Sequence, residues 1–181
     1  MHGRSLLPRL AGAAALLLAT SCDSPAGIAP GEAAALKRDV GPGTSQADLL
    51  KAVRQATARL NSTTQAIAAG YLPDAHCVAH PSLGGMGYHW ANPPLVDPVF
   101  DPLHPEVALY ADGPNGQRRL VAVEYVVIDV GQPRPSFAGQ LFDIGGTPVP
   151  APHWSLHVWL YEHNPAGTFT PFNPNVSCPA P

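Results

Sequence analysis

Residues 120–128 read Leu-Val-Ala-Val-Glu-Tyr-Val-Val-Ile. A strand with one wet face alternates apolar and polar side chains, and this segment does not. It is therefore expected to be covered on both faces. Glu124 is the one charged group inside it. A carboxylate placed there is costly unless it is paired, protonated or bound to a metal, or unless it escapes to solvent at a sheet edge.

The same pattern occurs twice more. His157 interrupts the apolar run Leu156 to Tyr161, and His89 lies in Met86-Gly87-Tyr88-His89-Trp90. Three separate strand-like segments thus each carry a single titratable group. If the strands are neighbours sharing a face, His89, Glu124 and His157 converge. Two imidazoles and a carboxylate are a ligand set for zinc or non-haem iron that leaves positions for water or substrate. The same residues can instead form an acid–base pair, with Glu124 setting a histidine tautomer, or a polar network that fixes strand register. Met86, Trp90, Tyr125, His153 and Trp159 are expected to line the pocket around them. His76, His80, His104 and His163 fall in turns and read as surface groups.

Other chemistry finds little support. Gly84-Gly85-Met86-Gly87 is followed by no Gly-Lys-Ser/Thr and opens no helix, so neither a phosphate loop nor a dinucleotide site is indicated. Ser136 and Ser155 sit in no Gly-x-Ser-x-Gly elbow.

Residues 45–69 carry the helical signal. Ser45 and Asp48 resemble a capping box, and Leu49, Val53, Ala56, Leu60 and Ile67 follow one face. Gly70 and Pro73 supply the stop. That stripe needs a partner, and the remainder of the chain reads as strands: residues 87–90, 107–111, 120–129 and 155–162, with Asn115-Gly116 turning a hairpin. Residues 131–152 are rich in Pro and Gly and read as a long loop.

The first residues read as an address. Arg4 and Arg9 precede an apolar stretch, residues 10–19, too short to span a bilayer. Such a stretch fits a cleaved secretory signal. It ends Leu18-Ala19-Thr20-Ser21-Cys22, which resembles the lipobox of bacterial lipoproteins, although Ala19 stands where that pattern usually has Leu. The resemblance implies lipidation of Cys22 and a membrane as partner. Residues 1–21 are then the signal, 22–43 a flexible tether and 44–181 one globular domain. Without the signal the chain has eight Lys and Arg against 13 Asp and Glu, a net of −5. Nothing in that balance favours nucleic acid. If Cys22 carries lipid, Cys77 and Cys178 remain. In an oxidising compartment they are expected to pair; thiolate metal ligation is the alternative, without CxxC spacing to support it.

Ala68-Ala69-Gly70-Tyr71, Gly85 to His89, Val123-Glu124-Tyr125, Leu156 to Trp159, Asn164 to Phe169, Asn173-Pro174 and Cys178 together resemble an uncharacterised family of bacterial exported proteins. The resemblance spans residues 47–178 and implies a single domain, with no activity to transfer. The expectation is an α+β domain: one long N-terminal helix on an antiparallel sheet of four to six short strands, with long Pro/Gly-rich loops. Its place is the cell envelope, on a periplasmic or extracellular face. It is either a metal-binding or acid–base protein acting on a small molecule, or a non-catalytic module that binds another envelope protein.

Overall fold

A computed structural model describes residues 44–146 and 149–179. The expected signal, tether and Cys22 lie outside the described residues. The domain is α+β. Helix α1 (Gln46–Thr57), a 3-10 turn (Ala58–Asn61) and helix α2 (Thr63–Ala68) come first. Strands β1 (Cys77–His80), β2 (Gly84–Ala91), β3 (Val107–Asp112), β4 (Arg118–Ile128), β7 (Asp143–Ile144) and β8 (His153–Val158) form one antiparallel sheet in the order β1-β2-β3-β4-β8-β7. A separate two-stranded piece pairs β5 (Ser136–Phe137) with β6 (Gln140–Leu141).

The long helix expected over residues 45–69 is broken. Its start is as expected: Ser45 Oγ accepts from the Asp48 amide and donates to the Asp48 carboxylate, at 3.2 and 2.6 Å. At Thr57 the hydroxyl turns back to the Val53 carbonyl (2.7 Å) and meets the Tyr161 hydroxyl (2.9 Å). The chain tightens into the 3-10 turn, and Ser62 then caps α2 by accepting from the Gln65 amide. Ser and Thr compete with the helix ladder for backbone groups, and Thr57 and Ser62 do so here. The break changes the helical phase. Ala66 is buried, while Ile67, expected on the apolar stripe, is 52% exposed.

β4 is buried from Leu120 through Val127, so both of its faces are covered. Cross-strand partners share a face, and successive residues alternate. On one face Tyr110, Val123, Tyr125, Val127, Leu156 and Val158 meet Leu49, Val53 and Leu60 of the helical segment. On the other, Leu109, Ala111, Val121 and Ala122 pack with Trp159, Val176 and Met86, the consecutive Val121 and Ala122 sharing this side because the register with β3 shifts by one residue at Val121. The C-terminal tail provides that second cover. Asn173 and Gly85 exchange backbone hydrogen bonds, and the Trp159 indole donates to the Thr170 carbonyl at 2.7 Å. Gly84 admits this approach, because a Cβ there would lie 2.2 Å from the Asn173 carbonyl oxygen. The Cys77–Cys178 disulfide ties the tail to β1, so these thiols are not metal ligands.

Two strand boundaries move. β8 begins at His153 and ends at Val158, because the Trp159 amide turns away to the Thr168 carbonyl. Residues 131–152 are not a featureless loop. They contain β5, β6 and β7, anchored by Phe137 and Phe142, whose rings meet Phe100 and Tyr125 at 5.1–6.0 Å.

Candidate metal centre

The face covered by the tail also carries the three titratable residues. Glu124 on β4 stands directly opposite His157 on β8 and, on its other side, opposite Val107 on β3. His89 on β2 stands opposite Leu109 of β3, which in turn pairs with Ala122 of β4. Ala122 and Glu124 are two apart and share a face. Register therefore brings the three side chains together across the sheet, with His89 reaching over β3. Gly87 is part of how β2 reaches this register. Its φ is +94°, and a Cβ there would lie 2.2 Å from the Tyr110 carbonyl oxygen, so β2 lies against β3 only with glycine at that point.

The Nε2 atoms of His89 and His157 lie 3.7 and 3.9 Å from the same carboxylate oxygen, Glu124 Oε2. The three donor atoms all fall within 4.8 Å of one another. These separations are too long for hydrogen bonds. The His157 side chain is 7% exposed, and its Nε2 is buried without a hydrogen-bond partner. The geometry thus departs from both a closed polar network and a hydrogen-bonded His–Glu pair. A triangle with these sides has its centre at most about 2.5 Å from each corner, against ~2.0–2.2 Å for zinc bonded to imidazole or carboxylate. A small cation reaches its bond lengths after each side chain moves by a few tenths of an ångström.

Electrostatics match a ligand set. Burial pushes His157 down from 6.5 to about 4, against the pull of the Asp143 charge. Burial also lowers His89, although the Glu124 carboxylate opposes it. Both imidazoles are accordingly neutral at neutral pH, the form that ligates metals. Burial raises Glu124, with His89 and His153 acting in the other direction. A divalent ion would reverse that rise.

The expected pocket residues divide between the faces. Trp90 and Tyr125 point to the helix side and belong to the cores there, because each directly follows a site residue and strand alternation turns it over. They do not line the site. Met86 and Trp159 are on the site face, in the adjoining cluster with Leu109 and Ala122. His153 shares the face of His157 but sits four residues along β8, with Nδ1 held 2.9 Å from the Ala151 carbonyl oxygen, and it is not in the ion-sized group. His104 pairs with Asp101 at 3.2 Å, and His80 lies 5.4 Å from the Phe172 ring.

Sequence reasoning missed Glu106. It is 1% exposed, its Oε2 accepts from the Val126 amide at 2.9 Å, and burial pushes its carboxyl up to about 8. Glu106 immediately precedes β3, and its side chain takes the place of the next backbone partner of β4. Its only sequence signal is a charge immediately before an apolar run. Comparison with known proteins finds no matching family model, no matching curated protein and no matching solved structure.

Proposed function

We propose that this chain is an exported, lipid-anchored envelope protein whose domain holds one divalent ion, zinc or iron, on His89, Glu124 and His157. The supporting observation is the unpartnered, buried Nε2 of His157, aimed with His89 Nε2 at one carboxylate oxygen at ion-scale spacing. Buried polar atoms normally find partners, and a cation would satisfy all three of these groups at once. The ion would act as a Lewis acid or activate a bound water toward a small molecule. The three side chains fix its position from three strands, and His157 supplies the most enclosed ligand. The test is metal analysis of the full-length, untagged protein purified in detergent. About one equivalent of zinc or iron is expected, with loss in His157→Ala at unchanged circular dichroism. A metal-free wild type that also fails to take up zinc on dialysis would refute the proposal.

A further inference from the structure

We infer that the ion held by His89, Glu124 and His157 keeps an exchangeable coordination position, and that this position takes a small singly charged anion. The inference rests on the metal reading above and goes beyond it. Among the described residues, the ion-sized group has three members. Zinc takes four or five ligands, and sites that are purely structural fill them all from the protein. The nearest additional histidine on that face is His153, which lies outside this group with its Nε2 packed against Gly145. Asp143 is on the same face, through its pairing with Ser155, but is 55% exposed with Arg134 at 3.8 Å. The fourth ligand is therefore exogenous.

The approach to it is one-sided. Side-chain exposure falls from 18% at His89 to 12% at Glu124 and 7% at His157. Enclosure is greatest at the β8 ligand and least at the β2 ligand. Charge sets what can enter. A divalent ion with one carboxylate and two neutral imidazoles carries a net +1, which in a poorly solvated site favours an anion over a neutral donor. Asp143, opposite Ser155 and so two positions along the same face of β8 from His157, adds a second negative charge beside that of Glu124. A monoanion neutralises the centre. A dianion leaves excess negative charge beside two carboxylates.

Cobalt(II) is the probe, because its visible bands report coordination number and ligand exchange. The full-length protein is loaded with cobalt and titrated at about pH 8.5, where orthophosphate is a dianion, with azide and, separately, with orthophosphate. A saturable change with azide is expected, at a half-point roughly ten-fold or more below that of phosphate. Asp143→Asn should narrow the difference between the two anions while preserving the starting spectrum. Cobalt retained with a spectrum unmoved by azide would mean a closed site and would overturn this inference alone. Phosphate binding as tightly as azide would overturn the charge selection. A protein that retains no cobalt would remove the inference together with the metal reading beneath it.

Discussion

At the scale of single residues, two buried groups titrate in opposite directions. Glu106 has its carboxyl raised from 4.5 to about 8 by burial. Between those values the folded chain keeps a proton that the unfolded chain has released, so stability falls as pH rises through the window. The slope approaches ~1.4 kcal/mol per pH unit. His157, lowered from 6.5 to about 4, acts the other way. Below 6.5 the unfolded chain gains a proton that the folded chain refuses, so stability falls as pH falls. Between 4.5 and 6.5 the two slopes offset one another. Glu106→Gln keeps an acceptor for the Val126 amide and removes one slope. In the metal-free protein, urea unfolding of this variant should show a smaller loss than the wild type from about pH 6.5 to about pH 8, the remainder coming from the raised Glu124, and a steeper loss on acidification. Parallel profiles for the two proteins would mean that Glu106 is not buried as described. Glu124, His89 and His157 were legible in the sequence because each interrupts an apolar run. Glu106 was not, because it stands at a run's edge, between Pro105 and Val107, where a charge is ordinary.

At the scale of elements, the start of α1 and the existence of the main strands were legible, and the helix break was not. Leu60 and Ile67 preserve a helical spacing, so periodicity reads straight through residues 58–62. The competing signal is the hydroxyl-bearing run at Ser62-Thr63-Thr64, which propensity alone treats as a mild weakness. What decides the matter is tertiary: Thr57 finds Tyr161, and Tyr110 donates to the Leu60 carbonyl at 2.7 Å, holding the 3-10 turn against the sheet. Ser62 then matters as a cap and not as an interior helical residue. Ser62→Ala should cost about 1 kcal/mol in urea unfolding, by leaving the Gln65 amide without its acceptor. In an uninterrupted helix Ala would stabilise position 62, since it is the better interior residue. The sign of the change therefore separates a capped break from one long helix.

At the scale of the whole molecule, the site exists because distant segments meet. The pairing of β3 with β4 was readable from the Asn115-Gly116 turn, whereas β1 was not foreseen and the long connection over residues 92–106 hid the pairing of β2 with β3. The placing of β8 between β4 and β7 was not readable either, because residues 131–152 intervene and periodicity carries no information about which edge a returning strand joins. That placement sets His157 opposite Glu124. The opposite face is held by the helical segment, and the site face by a tail clamped through a disulfide 101 residues apart in sequence. Closing a loop of that length contributes on the order of 4–5 kcal/mol in the chain-entropy model, and such bonds persist in oxidising compartments. This architecture agrees with the export proposed from residues 1–22 and makes the proposed anchor at Cys22 a separable question. Cys22 takes no part in the Cys77–Cys178 bond, so Cys22→Ser should leave the domain folded and the disulfide formed. In a bacterial host fed labelled palmitate, the wild-type chain should carry label and partition with membranes. The Cys22→Ser chain should be unlabelled and recovered in the soluble fraction, because several acyl chains at roughly 0.8 kcal/mol per buried CH₂ supply the membrane attachment. An unlabelled wild type would show that the segment ending at Cys22 is an ordinary signal. A variant that stays on the membrane without label would show that the domain holds the bilayer by a surface of its own.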